Sequence, residues 1–256
     1  MDTKGQQADM AELKVKRRVL SACGTNCYYV YKEGASDIVV IDPGDNGETV
    51  YEDVKTLGFD KVAGILLTHG HGDHTGGALK LKELSGAKIY AHEEEAEILK
   101  DPQKNLSGWF GPAYGFEADE YLHDRQEFDM AGIHFQVIHT PGHTKGGCCF
   151  YDAEDGYLFC GDTIFNCSVG RTDFYSGSGA TLVKSIRERI FTLPDDTKLL
   201  SGHGDKTTVE YEKKYEALYV LRNFHHPLGN LLRKLLRCGY HHDDLFRHNG
   251  CGRSSL

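Results

Sequence analysis

The sequence predicts a mixed α/β domain, and three observations carry the prediction. Residues 15–41 hold three stretches that alternate or run in β-branched and aromatic residues, the pattern of strands. From residue 47 the apolar spacing switches between a helical period and short continuous apolar runs. The strand-like runs then end, again and again, in glycine-containing turns that carry histidine or aspartate.

The opening strands are expected over 15–22, 27–31 and 37–41, the last stopped by the turn signal Asp42, Pro43, Gly44. Val50, Val54 and Leu57 sit at helical spacing within 47–57, and 62–67 reads as a buried strand. That strand breaks at THGHGDH (68–74), after which Leu79, Leu81 and Leu84 predict a helix beginning within or just after the turn. A strand is expected at 88–91, a helix at 93–99, and a loop at 102–119 holding Trp109, Phe110, Tyr114 and Phe116. Residues 133–139 alternate and stop at TPGH, while 148–151 and 157–160 form a hairpin across Asp155 and Gly156 that ends at GDT. An amphipathic helix follows at 180–191, a short strand at 198–200, the turn SGHG, and a last helix over about 208–222. Three segments are expected: a flexible 1–14, the domain at 15–223, and an appendage at 224–256 that is partly helical near 228–236 or disordered.

Composition narrows the function. No run of about 18 apolar residues exists, so no membrane-spanning helix is expected. With 29 Lys+Arg against 38 Asp+Glu the net charge is −9, which repels a phosphate backbone and argues against a nucleic-acid partner. Residues 1–14 are polar and lack the apolar core of a secretory signal, so a cytoplasmic location and free thiols are expected for the eight cysteines. Cys27, Cys148, Cys149 and Cys160 read as core thiols; Cys238, His241, His242, His248 and Cys251 match no firm metal spacing.

His69, His71, Asp73 and His74 fall within six residues, and Gly70 and Gly72 disfavour regular helix there. Such a turn aims alternate side chains in two directions, which suits two neighbouring metals. Imidazoles with carboxylates suit zinc, iron, manganese or cobalt, and the lack of cysteine ligands speaks against a closed structural zinc site. His143, Asp162 and His203 stand at three further strand ends. If one carboxylate bridges, His69, His71, His143 and Asp162 hold one metal, and Asp73, His74, His203 and Asp162 the other.

The strings THGHGDHTGG, HTPGHTKGG, GDTIF, GRTDF and SGHGDKTT, in this order, resemble the metallo-β-lactamase superfamily and within it the glyoxalase II-like hydrolases. TNCYYV and IDPG extend the resemblance over about residues 19–219. It implies an αββα sandwich of two mixed sheets flanked by helices, with two divalent transition metals at one edge. Zinc is expected first, iron or manganese as alternatives, bound by the seven residues already named. The implied reaction is hydrolysis of a small-molecule thioester such as an S-acylglutathione by a metal-bridging hydroxide, with Asp73 both binding metal and orienting the nucleophile. Arg171 in GRTDF is a candidate grip for a substrate carboxylate, or else a partner of Asp173 or of a core acid; Tyr175, Trp109 and Phe110 are further candidate substrate contacts. A mononuclear iron persulfide dioxygenase using His69, His143 and Asp162 is the alternative. A true β-lactamase is disfavoured, because Asp162 stands where those enzymes commonly have a softer ligand.

Overall fold

A computed structural model describes residues 11–214. The expected appendage, most of the flexible N-terminal segment and the second half of the last helix lie outside the described residues. The first sheet is built from β1 (Leu13–Leu20), β2 (Thr25–Lys32), β3 (Asp37–Ile41), β4 (Lys61–Leu66), β5 (Ile89–His92) and β6 (Glu120–Leu122), side by side in that order. β1, β2 and β3 pair antiparallel and β3 to β6 parallel. The second sheet takes β7 (Glu127–Met130), β8 (Ile133–His139), β9 (Cys148–Asp152) and β10 (Tyr157–Gly161). A small hairpin, β11 (Ile164–Phe165) with β12 (Ser168–Val169), leads on to β13 (Lys198–Ser201) and β14 (Thr207–Thr208). The second sheet runs β14, β13, β10, β9, β8, β7.

Three apolar clusters turn this order into four layers. Tyr28, Val30, Val39 and Leu66 of the first sheet meet Ile133, Phe135, Phe150 and Phe159 of the second, with Tyr28 and Phe159 edge to face at 5.5 Å. The other face of the first sheet, through Tyr29, Ile38 and Val40, buries Val50 and Val54 of α1 (Gly47–Thr56) and Leu81 of α3 (Ala78–Ser85); between these helices lies the single turn α2 (Gly72–Thr75). On the outside of the second sheet, Ile138, Cys149, Leu158 and Leu199 receive Leu182, Ile186 and Ile190. Buried side chains of this size contribute about 1.5–3 kcal/mol each. The result is two mixed sheets packed face to face with helices outside, as expected.

Several elements depart from the sequence reading. β1 starts at Leu13, which is buried, so Leu13 and Lys14 belong to the sheet and not to a flexible leader. The 93–99 helix divides into a 3₁₀ turn (Glu93–Glu95) and α4 (Ala96–Lys100). On α3 it is Ala78 and Leu81 that face the core, while Leu79 and Leu84 are exposed. β6, β7, β11, β12 and β14 were not expected: each has four residues or fewer, too short to show a period. The 180–191 helix is α5 (Gly179–Ser185), capped by Ser178, and then widens to a π-helical stretch at Ile186–Ile190. The last helix, α6, is described over Val209–Lys214 with Thr208 Oγ1 accepting from the Tyr211 N–H. Among the described residues no helix is long and apolar enough to cross a membrane. Among the described residues Cys23, Cys27, Cys148, Cys149 and Cys160 are free thiols, and all of these but Cys23 are buried.

Candidate metal centre

Strand direction collects the site. β8 and β10 both run antiparallel to β9, and β10 runs parallel to β13, so three strands of the second sheet end at one edge. Their ends deliver His143, Asp162 and His203, and β4 of the first sheet delivers the 68–74 turn to the same place.

Helix begins within that turn, as the apolar spacing allowed, although Gly70 and Gly72 disfavour it locally: Asp73 and His74 sit in α2, whose first bonds run from the His74 and Thr75 N–H groups to the His71 carbonyl at 3.0 and 3.1 Å. Glycine at 72 serves close approach here. A Cβ there would lie 2.7 Å from Ser107 Cα, and the Gly72 N–H donates to the Asn105 carbonyl at 2.6 Å. Gly202 has the same role beside His203: a Cβ would come within 2.3 Å of Asp162 Oδ1.

All seven expected ligands come together. His69, His71 and His143 form one set, Asp73, His74 and His203 another, and Asp162 groups with His69 and His74. His143 Nε2 stands 2.9 Å from His71 Nδ1 and 3.3 Å from His69 Nε2. Ligands at about 2.0–2.1 Å around a tetrahedral ion have edges of about 3.3 Å. The carboxylate of Asp162 lies between the sets, with Oδ1 3.3 Å from His74 Nε2 and 3.6 Å from His203 Nε2, and Oδ2 3.6 Å from His143 Nε2. Asp162 Oδ1 is buried and makes no hydrogen bond.

The far side of four imidazoles fixes which nitrogen faces inward. His143 Nδ1 donates to the Arg171 carbonyl at 2.7 Å, His203 Nδ1 to the Cys23 carbonyl at 3.1 Å, and His74 Nδ1 to Asp42 Oδ2 at 2.9 Å. The Thr68 hydroxyl gives its hydrogen to Asp42 Oδ2 at 2.6 Å and takes one from His69 Nδ1 at 3.2 Å. In the neutral form of these four rings each Nε2 therefore turns a lone pair toward the centre, where the carboxylates also offer only acceptors. Acceptors converging without hydrogens between them fit a cation, and the donor set fits a divalent transition metal.

Electrostatics divides the centre in two. Burial, with His74 and His143 close by, pushes His69 well below the usual imidazole value, and burial beside His143 takes His71 down to about 3. At His74 burial acts in the same direction, but Asp162, Asp73 and Asp42 outweigh it and hold the ring well above its usual value. One half is a nest of neutral imidazoles; the other is rich in carboxylate and draws positive charge.

The candidate substrate contacts separate. Arg171 pairs with Asp173 through Nε and Nη2 at 2.8 and 3.0 Å and lies 3.7 Å from the centre of the Phe174 ring, so it takes the second of its two expected roles. The Tyr175 hydroxyl donates to Glu97 at 2.9 Å, with Lys104 over its ring. Trp109 and Phe110 are exposed at 66% and 43%, and Trp109 stands edge-on to Phe174 at 5.3 Å. Phe174, which the sequence reading passed over, packs edge-on to His71 at 5.8 Å.

Asp42 and Glu95 were also missed. Asp42 accepts from the Thr68 N–H at 2.8 Å as well as from Thr68 Oγ1 and His74. It is a strand-end aspartate like Asp162, and the same logic could have found it in IDPG. Glu95, fully buried, ties the two histidine loops: Oε2 accepts from the Gly70 N–H at 2.9 Å, and Oε1 from the Gly146 N–H at 2.9 Å and the Thr144 hydroxyl at 2.5 Å. Nothing in a run of three glutamates says which one turns inward.

Burial pushes the Glu95 carboxyl up from 4.5 to about 7, against the three donors that oppose the rise. A carboxyl whose folded value lies above its unfolded one favours folding most at low pH, and that contribution fades as pH rises from about 4.5 to about 7. Between pH ~5 and ~8, metal-free wild type should therefore lose about 2–3 kcal/mol more stability than Glu95→Gln, which cannot ionise. Urea unfolding at the two pH values measures this; parallel losses would show that Glu95 does not titrate in that window.

The matrix of ligands and the fold define a metal-dependent class of protein, and comparison with known proteins names it. The family model described as "Metallo-beta-lactamase superfamily" matches residues 20–203, and the chain belongs to that superfamily. It is 34% identical over 201 residues to "Hydroxyacylglutathione hydrolase GloC" of Haemophilus influenzae, covering 76% of this chain and 92% of that one. Among solved structures, the BLEG-1 B3 metallo-beta-lactamase superposes with a TM-score of 0.76 at 32% identity, covering 80% of this chain and 99% of the other. TTHA1623, solved in a di-iron-bound form, gives a TM-score of 0.70 at 31% identity over 80% of this chain and all of that one (100%).

Proposed function

We propose that the chain is a dinuclear metal-dependent hydrolase of thioesters, with S-acylglutathiones as the first substrates to test. The observation that supports this most is the position of Asp162, one oxygen toward His74 and His203 and the other toward His143. Two divalent ions held by the two sets would supply a water ionised near neutral pH and a Lewis acid for the carbonyl. The residues do the rest. Thr68, Asp42, and the Arg171 and Cys23 carbonyls hold the imidazoles in the orientation that presents Nε2. Asp73, with Oδ2 3.4 Å from His203 Nε2, has a second oxygen with which to orient the attacking water.

In the reaction the water oxygen bonds to the acyl carbon, the C–S bond breaks, and sulfur leaves with the electron pair. A thiol with a pKa of about 8.5 leaves as thiolate without a strong acid, and the protons pass to product and solvent. The phenol docked on α2 fits that economy: Tyr114 is bonded to Thr75 Oγ1 at 2.8 Å and to the Gly72 carbonyl at 3.2 Å, and burial pushes it up to about 12. The name of the Haemophilus relative points to the same substrate class.

Zinc-loaded protein is expected to release thiol from an acylglutathione under anaerobic conditions, since redox-inert zinc cannot pass electrons to oxygen. Iron-loaded protein given glutathione persulfide is expected to consume little oxygen. A thiol-release assay and an oxygen electrode on one preparation decide the matter. Rapid persulfide-dependent oxygen uptake with no thiol release would replace the hydrolase reading by the mononuclear dioxygenase.

A further inference from the structure

The segment from Asn105 to Tyr114 is stitched to itself and to the metal-binding turn. Asn105 Nδ2 donates to the Leu99 and Tyr114 carbonyls at 3.2 and 2.8 Å, and its Oδ1 accepts from the Ser107 N–H at 2.8 Å. Ser107 Oγ donates to the Tyr114 carbonyl and accepts from the Tyr114 N–H, both at 2.9 Å. Two further bonds, from the Gly72 N–H to the Asn105 carbonyl and from the Tyr114 hydroxyl to the Gly72 carbonyl, dock the segment on α2. The base of the loop is thus held by hydrogen bonds while its tip presents Trp109 and Phe110 to solvent.

These rings continue the wall of the centre. Phe110 Cδ2 would lie 3.0 Å from a Cβ on Gly72, and Phe174 links Trp109 to His71. A large exposed apolar surface beside a site, on a braced loop, marks a binding surface. Charge selects the ligand. Among the described residues the cations on this side are matched by carboxylates: Arg171, which lies over Phe174, by Asp173, Lys104 by Glu97 and Lys145 by Glu94. Asp73 and Asp162 add negative charge to the centre itself.

We propose that Trp109, Phe110 and Phe174 form a preformed ledge for the acyl group of the substrate. The ledge selects apolar acyl groups of aromatic size and gives no advantage to an anionic thiol carrier such as glutathione. This rests on the thioesterase reading for the chemistry, but binding to the ledge is measurable without turnover.

Trp109 is the chain's one tryptophan, so its fluorescence reports on the ledge alone. The full-length zinc-loaded protein is titrated with benzylacetone, an uncharged ketone in which carbon replaces the thioester sulfur, and with acetone. A saturable change in emission is expected with benzylacetone and none with acetone. Phe110→Ala, at an exposed position, should weaken the benzylacetone response by up to about tenfold, the size of an aromatic contact. No saturable response in wild type, or equal affinity in wild type and Phe110→Ala, overturns the ledge. Turnover is compared in parallel for 3-phenylpropanoyl and acetyl thioesters of N-acetylcysteamine and of glutathione. The expected result is kcat/KM set by the acyl group, with Trp109→Ala lowering the 3-phenylpropanoyl values by up to about tenfold and the acetyl values little. A preference for glutathione whatever the acyl group overturns the carrier part of the proposal. If benzylacetone binds as expected and none of the four thioesters is cleaved, the thioesterase reading falls and the ledge stands.

Discussion

Asp162→Ala is expected to lower turnover by at least about a hundredfold and to weaken metal binding in both halves of the centre. The reason is geometric. Asp162 Oδ1 faces the His74 and His203 nitrogens and Oδ2 faces His143, so one truncation removes an acceptor from each set. It also removes the negative charge that, with Asp73 and Asp42, pulls His74 upward, and the cavity left behind is polar and lined by imidazoles. Asp173→Ala is the matched control. Its carboxylate bonds the exposed Arg171 guanidinium, while the Arg171 carbonyl that orients His143 belongs to the main chain and survives the change. Metal content measured after gel filtration, with kcat beside it, separates the two variants. Equal retention of metal in both would remove Asp162 from the site.

How much of this was legible in the sequence depends on the scale of the feature. The strands of the sandwich core, β2, β3, β4, β8, β9 and β10, show as runs such as 37–41 and 133–139 because burial on one or both faces writes a period into the chain. β6 and β14 have three and two residues, too few to write a period into the chain, and β6 pairs with a strand 30 residues earlier (Tyr90 with Glu120). At the centre, the turns at 68–74, 143, 162 and 203 could be read because histidines beside glycines at strand ends are locally conspicuous. The supports could not be read in the same way. Glu95 acts through loops 25 and 51 residues away, and the Cys23 and Arg171 contributions come from carbonyl groups, which carry no residue identity at all. Arg171 shows the same limit from the other side: GRTDF contains both its candidate role and its partner, and only the folded loop pairs the guanidinium with Asp173 and sets it on Phe174.

The α2 turn carries a related lesson. Two glycines within four residues argue locally against helix, yet Gly72 begins a helical turn because its missing Cβ lets Ser107 and Phe110 close over it. Packing against the 105–114 segment outweighs a propensity cost of about 1 kcal/mol per glycine. The turn that follows places Asp73 and His74 toward the second set while His69 and His71 face the first.

The proposed dinuclear centre is tested most directly by counting ions. Each set contributes three side chains and Asp162 lies between them, so under this proposal the two halves should fill as separate sites, and each ion should be needed for full turnover. Chelator-treated protein should lose activity by orders of magnitude and regain it with two equivalents of metal. Elemental analysis at saturation is expected to give two ions per chain in wild type and one in His203→Ala, which strips a ligand from the carboxylate-rich half and leaves His69, His71 and His143 in place. A single ion per chain in saturated wild type, unchanged by His203→Ala, would contradict the account.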